Sequence, residues 1–310
     1  MDINYFSKVR ILDGGMGQEL LARGLIAKGT LWSTSALMEK KYHKLVIDTH
    51  LAFIEAGADV IVTNNFSSRK LRLIENKSEE YFNYVNEKAG ELAATAKAIS
   101  KKNILIAGSL PAQNSTYMVD ERNKDIIEKN FFDQAKLIKP FIDFFYLDVL
   151  SSGKEIEIAL NIVEKMNLPV LVGIHVGKNG KLPSNESISQ IIQKYKNENW
   201  LGVITACVSP EIVESTVNEL KKFDIPFGFK VNLWKEDPIP AQAFQKSFNT
   251  YTGSPDKAIN PNEVLGKRLE YTDKMFFDFS KKIMDKGATI LGGCCETNPS
   301  HIKKISVLKN

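Results

Sequence analysis

Eight short apolar segments, separated by segments with helical patterns, constrain the fold of this 310-residue chain more than any other feature. Most are nearly continuously apolar, which is typical of parallel strands that are buried on both faces. In chain order the predicted strands are Val9–Asp13, Asp59–Asn64, Ile104–Ser109, Phe144–Val149, Val170–His175, Leu201–Ala206, Pro226–Asn232 and Ala288–Gly293. Eight strands that alternate with helices predict an α/β fold, a closed (β/α)8 TIM barrel, and the alternative is an open doubly wound sheet.

Helix signals lie between these strands. Residues 43–56 are predicted to form a helix that ends at Gly57, a residue suited to a helix C-terminus. Apolar residues at helical spacing recur in residues 188–195. Ser209-Pro210 and Asn298-Pro299 each place a capping side chain before a proline, which is typical of a helix start.

The domain organisation follows from the absence of breaks in this pattern. The sequence has no internal repeat, no low-complexity tract and no linker, so residues 1–310 are predicted to form a single domain. One connection is long: Trp234–Asn262 contains several prolines and follows the seventh predicted strand. Loops of this length usually have a function. We expect this one to lie over the C-terminal face of the barrel, where it could cover a substrate.

Composition excludes several classes of partner. Hydrophobic residues make up 43% of the chain and charged residues 25%, which is typical of globular proteins. The net charge of +4 comes from scattered lysines, so we expect no nucleic-acid partner. No segment approaches the roughly 18 apolar residues of a membrane span, and the first residues lack the apolar core of a signal peptide. We therefore expect no membrane partner and a cytoplasmic location. The oligomeric state is not indicated.

The chain has only three cysteines, and two of them are adjacent in the segment GGCC. Cys207 follows the sixth predicted strand, and Cys294 and Cys295 follow the eighth. The carboxyl ends of barrel strands meet at one face, so the three thiols are predicted to converge there. Gly292 and Gly293 allow a tight turn that brings both neighbouring side chains to one ion.

Three thiolates can hold Zn²⁺ and leave a fourth tetrahedral position open, which is the pattern of a catalytic metal site. An ion with an open position can bind a substrate thiol and lower its pKa, which produces a nucleophile for a methyl group on a sulfonium or quaternary nitrogen. The alternatives are that the cysteines are small buried hydrophobic residues, or that Cys294 and Cys295 form a redox-responsive pair. A structural disulfide between neighbours is not expected, because the ring would be strained.

Four motifs then point to a known family: ILDGGMGQEL at the first strand, LWSTSAL after it, EAGADVIVTNNF at the second strand and GGCC at the eighth. Together with the upstream cysteine they resemble the homocysteine S-methyltransferases over residues 9–305. These are zinc-dependent (β/α)8 enzymes. They transfer a methyl group from S-methylmethionine, S-adenosylmethionine or betaine to homocysteine, which yields methionine.

The resemblance implies roles for particular residues. It implies that the zinc ligands, and so the centre of catalysis, are Cys207, Cys294 and Cys295. It also implies that Asp13, Gly14 and Gly15 lie beneath the amino-acid substrate and that Asn232 orients the site. A glycine turn offers N–H groups to a carboxylate, although it also fits a plain tight turn, and Asp13 could instead bond to nearby backbone.

Three positions depart from the pattern of the family. Asp148 stands where the family has Glu, so the carboxylate predicted to bind the substrate ammonium is shorter by about 1.5 Å. Ala206 replaces an Asn, and Glu296 replaces a Gly and adds negative charge near the thiols. These departures leave two alternatives open: a methyltransferase for a different thiol acceptor, or a non-catalytic paralogue that binds zinc and an amino acid.

The methyl donor leaves weaker signals. A cationic donor favours aromatic faces, and Trp32 and Phe66 near the first two strand ends are candidates, although they could also fill the core. His175 ends the fifth predicted strand. It could be a zinc ligand, a base or a hydrogen-bonded polar residue at the barrel mouth. Only 15 residues follow Cys295. The betaine-using branch of the family has a longer C-terminal arm, so a sulfonium donor is favoured.

Overall fold

A computed structural model describes residues 2–238 and 261–309, in which eight strands alternate with twelve α-helices. The strands are β1 Arg10–Ile11, β2 Val60–Val62, β3 Leu105–Pro111, β4 Phe144–Leu150, β5 Val170–Ile174, β6 Trp200–Val208, β7 Phe227–Val231 and β8 Ile290–Gly293. The helices are α1 Met16–Ala22, α2 Ser35–Met38, α3 His43–Glu55, α4 Lys70–Glu75, α5 Phe82–Ser100, α6 Lys124–Ile138, α7 Gly153–Lys165, α8 Ile188–Tyr195, α9 Pro210–Leu220, α10 Pro261–Leu265, α11 Asp273–Met284 and α12 Pro299–Ile305.

The strands form a closed parallel barrel. They pair in the order β1-β8-β7-β6-β5-β4-β3-β2, and every pairing is parallel. A parallel bridge between Leu12 and Val60 joins the two ends of this order, and the N–H of Asp59 donates to the carbonyl of Ile11 at 2.7 Å. The predicted (β/α)8 barrel is therefore confirmed, and the open sheet is excluded.

The predicted strands match the observed ones to within two residues at each end. One placement was wrong: Cys207 lies inside β6 rather than after it, because β6 continues to Val208. The single domain over residues 1–310 and the position of most of the long connection stay predictions, since residues 239–260 lie outside the described part of the chain.

Two buried layers hold the barrel together, as the alternation of side chains along β4 shows. Phe144 and Tyr146 point into the barrel interior, whereas Phe145 and Leu147 pack outward against the helices. The outer layer is the larger of the two, since the helices cover the sheet on every side. This alternation decides which residues at the strand ends can reach a site at the mouth of the barrel.

The helices begin and end where local signals predict. Helix α3 ends before Gly57, which adopts a φ of +103°. Helices α9 and α12 begin at their prolines, and Asn298 caps α12 with side-chain bonds to two backbone N–H groups. Ser209 occupies the N-cap of α9 without such a bond. In the part of the chain that the structure describes, no helix is both long and apolar enough to cross a membrane.

Candidate functional site

A cavity opens at the carboxyl ends of the barrel strands and encloses about 810 Å³, counting the part open to solvent. Polar or thiol side chains at several strand ends line its wall, among them Asp13, Asp148, Cys207, Lys230, Cys294 and Cys295. This is the face that carries the active site in barrels of this type. The predicted convergence of the three thiols is therefore confirmed.

The three sulfurs form a compact cluster. The Sγ atoms of Cys207 and Cys295 lie 3.7 Å apart, those of Cys294 and Cys295 lie 3.9 Å apart, and all three lie within 4.8 Å of one another. A tetrahedral ion with bonds of about 2.3 Å to sulfur holds its sulfur ligands about 3.8 Å apart. The observed spacings match this value, so the cluster fits one tetrahedral ion. Cys207 and Cys295 are buried and Cys294 is half-buried.

A β-bulge turns Cys207 toward the other two sulfurs. The register between β6 and β7 shifts between Ala206 and Val208, and Cys207 adopts a φ of +53°. Because of this shift, Ala206 and Cys207 both face the barrel interior, although strict alternation would send one of them outward. Positive φ is unfavourable for a residue with a Cβ atom and tends to occur at functional sites.

Two side chains support this unusual backbone. The side-chain amide of Asn232 donates to the carbonyl of Cys207 at 2.7 Å and lies 3.9 Å from its sulfur. A hydrogen bond of 3.3 Å joins the Tyr117 hydroxyl to the same sulfur. Asn232 therefore contacts both the backbone and the sulfur of Cys207, and its role in orienting the site stays a prediction.

The sequence of the chain is similar to that of known proteins. A sequence model of the homocysteine S-methyltransferase family matches residues 10–308. The chain belongs to this family. Homocysteine S-methyltransferase 1 of Arabidopsis thaliana is 24% identical over 96% of this chain and 92% of its own length. The selenocysteine methyltransferase of Astragalus bisulcatus is 21% identical over 96% and 91%.

A solved structure shares the fold. The crystal structure of the homocysteine methyltransferase MmuM from Escherichia coli, in its metallated form, superimposes with a TM-score of 0.75 at 19% sequence identity. The match covers 97% of this chain and 96% of that one. This homocysteine S-methyltransferase family member therefore shares that barrel fold over nearly its whole length, and its membership of the family makes it a methyltransferase.

In the glycine turn of this family member, the N–H of Gly15 already has partners within the protein. The N–H of Gly15 already donates to the carbonyl of Thr297 at 2.8 Å and to its hydroxyl at 3.1 Å. A Cβ atom on Gly15 would lie 2.6 Å from the carbonyl oxygen of Cys294. Gly15 therefore joins the first turn of the barrel to the turn that carries the double cysteine, and its N–H is not available to a substrate. The carboxylate role of Gly14 stays a prediction.

Asp13 forms a buried ion pair that the sequence analysis missed. The ammonium of Lys230 lies 2.6 Å from one carboxylate oxygen of Asp13, and the other oxygen accepts from the N–H of Val62 at 2.7 Å. Burial alone lowers the pKa of Lys230, but the carboxylate of Asp13 outweighs it and holds this pKa above its usual value. The available signal was a lysine inside a strand of buried apolar residues, Phe227–Val231.

Asp148 lies where the family resemblance predicts an ammonium-binding carboxylate. It is buried in the cavity wall, and the hydroxyl of Ser109 donates to its carboxylate at 2.8 Å. Burial raises the pKa of Asp148 to about 7. A β-bulge between Leu147 and Leu150, where Val149 has a φ of +66°, lets both Asp148 and Val149 line the cavity.

His175 is a hydrogen-bonded polar residue rather than a member of the sulfur cluster. Its Nδ1 atom lies 3.0 Å from the carbonyl oxygen of Ala206, and its ring packs against Tyr117 at 4.4 Å between centroids. Burial lowers the pKa of His175 to about 4, so the ring is neutral at physiological pH. Ala206, where the family has Asn, contributes its backbone to this contact.

Among the described residues, four aromatic side chains line the cavity. Trp32 and Phe66 are the two that the sequence analysis named, and Tyr117 and Trp234 are two that it missed. Trp32 has a φ of +48° and packs closely on Gly17, at which a Cβ atom would lie 2.3 Å from the indole ring. Such a set of rings can hold a methylated cation by cation–π attraction.

Glu296 carries less uncompensated charge than the sequence suggests. Its carboxylate is buried and lies 3.4 Å from the ammonium of Lys267, and burial raises its pKa. Its φ is +63°. The Gly that the family resemblance implies at this position would adopt this φ without strain.

Proposed function

We propose that the protein transfers a methyl group from a sulfonium or quaternary-ammonium donor to the thiolate of homocysteine, forming methionine. The observation that carries the proposal is the sulfur cluster of Cys207, Cys294 and Cys295 in the wall of an aromatic-lined cavity. The cluster suits a thiol acceptor and the rings suit a methylated cation, so the two substrates can meet in one space.

The cofactor that we propose is Zn²⁺. The sulfur spacings of 3.7 and 3.9 Å fit one tetrahedral ion with Cys207, Cys294 and Cys295 as ligands. When bound, the ion supplies a fourth position at which a substrate thiol loses its proton at neutral pH. Asn232 and Tyr117 hold Cys207 in the conformation that this arrangement needs.

The remaining polar groups bind and orient the acceptor. Asp148 reaches the cavity and can accept hydrogen bonds from the ammonium of an amino thiol, with the Ser109 hydroxyl fixing the rotation of the carboxylate. The Asp13–Lys230 pair fixes the first turn against β7 and places the ammonium of Lys230 near Cys294. These groups contribute by alignment, which lowers the entropic part of the barrier.

The methyl transfer is a displacement at carbon. The electron pair of the acceptor thiolate forms the new S–CH3 bond, while the bond between the methyl carbon and the onium sulfur or nitrogen breaks and its electrons stay on the leaving atom. The donor leaves as a neutral thioether or tertiary amine. The positive charge of the onium centre disappears in this step, so rings that bind the cation before transfer hold the product less strongly.

A methyl-transfer assay on the purified protein, with metal content measured, tests the proposal. Homocysteine is paired in turn with S-methylmethionine, S-adenosylmethionine, betaine and dimethylsulfoniopropionate, and methionine is quantified. We expect methionine from at least one pair, about one zinc per chain, and loss of activity on chelation that zinc restores. Zinc at one per chain without methionine from any pair would contradict homocysteine as the acceptor.

The Asp148→Glu substitution tests the fit of the acceptor. The added methylene extends the carboxylate toward the substrate, so we expect the KM for homocysteine to fall by about five- to tenfold, the scale of one charge-assisted hydrogen bond. Steady-state kinetics at saturating donor measure this change. Asp148→Asn is the matched control: it keeps the size and removes the charge, and should raise the KM. No gain with Glu would favour a different amino thiol as the acceptor.

The Tyr117→Phe substitution tests the contact with Cys207. It removes the hydroxyl that lies 3.3 Å from the sulfur and leaves the ring against His175. Loss of a side chain that contacts a metal ligand, rather than the metal itself, typically lowers metal affinity by 10–100-fold. We expect zinc affinity to fall by about tenfold, as measured by competition with a chromophoric chelator, with the thermal unfolding of the metal-free protein little changed. An unchanged affinity would mean that the hydroxyl does not support the ligand.

A further inference from the structure

Arg69 is a buried guanidinium in the wall of the cavity, at the N-cap of helix α4. Its side chain is 2% exposed. One guanidinium nitrogen donates to the carbonyl of Ala112 at 2.9 Å, and another donates to the hydroxyl of Thr116 at 2.8 Å. The group lies over the ring of Phe66, 5.3 Å from the centroid. Its position is therefore fixed by neutral groups.

The guanidinium has no carboxylate partner in the described residues. None lies within 4.0 Å of Arg69, and its Nε atom, which is buried, has no hydrogen-bond partner there. Arg72, equally buried on the same helix, pairs with Glu75 at 3.1 Å. Glu75 therefore pairs with Arg72, and among the described residues Arg69 has no carboxylate in direct contact. A buried charge without a counter-charge is costly.

Arg69 stays charged in the range where the protein works. Burial lowers its pKa to about 9, which is still well above neutral pH. A guanidinium has five N–H groups in a planar fork, and the two bonds to Ala112 and Thr116 leave others for a ligand. Planar forks match carboxylates, to which they can donate two parallel hydrogen bonds. The wall of the cavity therefore contains a preformed binding site for a carboxylate.

The place of Arg69 in the cavity assigns that carboxylate to one substrate. Arg69 contacts Thr116, the chain neighbour of Tyr117, whose hydroxyl in turn contacts the sulfur of Cys207. Phe66, one of the rings suited to a methylated cation, lies directly against it. A cation held by the rings and an acid group held by Arg69 are parts of one molecule, whereas the thiol acceptor lies at the sulfurs and Asp148.

We propose that Arg69 binds the carboxylate of the methyl donor, which makes the donor an onium carboxylate: a sulfonium or quaternary-ammonium centre joined to an acid group by a short chain. This inference rests on the proposed function and adds a donor specificity to it. Methylated cations that lack an acid group are predicted to be poor donors, because their binding leaves Arg69 without a counter-charge.

The first test compares variants of the two buried arginines. Arg69→Gln should raise the KM for S-methylmethionine by about 10- to 100-fold, the scale of a lost charged hydrogen bond, and should leave the KM for homocysteine and the zinc content unchanged. Arg69→Lys keeps the charge without the fork and should retain part of the affinity. Arg72→Gln is the matched control on the same helix and should not move the donor KM.

The second test begins with the unaltered protein, in which the preference for an acid group is measured before any variant is compared. Dimethylsulfoniopropionate is compared with ethyldimethylsulfonium, which has the same sulfonium centre and no carboxylate. We expect kcat/KM to be about 10- to 100-fold higher for the acid in the unaltered protein, and this preference to fall to near one in Arg69→Gln. An equal preference in both proteins, or a rise in the KM for homocysteine instead, would overturn the inference.

A failure of the proposed function gives a different result. If the unaltered protein transfers no methyl group from any donor, the proposed function fails, and the role of Arg69 is then judged by binding alone. Trp32 and Trp234 line the cavity, so their fluorescence can report binding of dimethylsulfoniopropionate. Weaker binding to Arg69→Gln than to Arg72→Gln supports the carboxylate site, and equal binding rejects it.

Discussion

Replacement of Cys294 by alanine is expected to lower kcat/KM for methyl transfer on the order of 1000-fold, since a metal ion that activates a nucleophile supplies several kcal/mol of transition-state stabilisation. Cys294 is the half-buried member of the sulfur cluster, and its sulfur lies 3.9 Å from that of Cys295. With two sulfurs left, the site loses a ligand, and the zinc content should fall well below one per chain. Methionine formation and bound zinc, measured on the same preparation, check both parts of the prediction.

The control for this variant separates the loss of the metal from the loss of the fold. The side chain of Cys294 lies at the cavity wall and the barrel strands do not depend on it, so circular dichroism and thermal unfolding of the metal-free proteins should be similar. Full activity in Cys294→Ala with one zinc per chain would rule out the proposed ligand set. Loss of activity with the metal retained would point instead to a direct role for the thiol.

Replacement of Lys230 by methionine is expected to lower the free energy of unfolding by about 3–5 kcal/mol, the typical result of removing one partner of a buried ion pair. The ammonium lies 2.6 Å from Asp13, and both side chains are nearly inaccessible to solvent. Without it, the carboxylate of Asp13 is buried with no counter-charge. Because the carboxylate raises the pKa of Lys230, the contribution of Lys230 is present at neutral pH and is lost as the pH rises through that pKa in the alkaline range. Urea denaturation of the metal-free protein measures the change.

Two controls accompany the Lys230 variant. The double variant Asp13→Asn with Lys230→Met leaves no buried charge unpaired, so it should recover much of the lost stability. Lys309→Met removes an ion pair of similar length, 2.9 Å to Asp59, that lies partly in solvent, and it should cost less than about 1 kcal/mol. Equal losses for Lys230→Met and Lys309→Met would show that burial does not set the strength of the first pair.

The fold could be predicted from the sequence because its signals are local. Strands buried on both faces are continuously apolar, and the helices between them begin at a capping residue with a proline and end at glycine, as at Asn298-Pro299 and Gly57. The three cysteines could also be placed on one face, because the carboxyl ends of barrel strands necessarily meet. The end of β6 was misplaced with consequence for the site, since a bulge lets this strand continue past Cys207.

The rest of the site depends on contacts that no local signal reports. Lys230 and Asp13 are 217 residues apart, and Tyr117 and Cys207 are 90 residues apart. Arg69 follows a motif of the second strand, but nothing nearby in sequence shows that it is buried without a carboxylate. Conversely, the sequence suggested that the N–H of Gly15 could bind a substrate carboxylate. In the structure this N–H donates to Thr297, which lies 282 residues away in sequence. Which strand end faces which neighbour is decided only when the barrel closes.

The sulfur cluster draws its members from β6 and from the turn after β8, which are separated in the sheet by β7. A chain that has formed β1 through β7 therefore presents one thiol, and the other two arrive only when the final strand takes its place between β7 and β1. The three cysteines can therefore meet only after β8 has joined the sheet. Binding of one ion by all three sulfurs therefore requires the closed barrel. A partly assembled barrel offers fewer sulfur ligands and binds the metal more weakly.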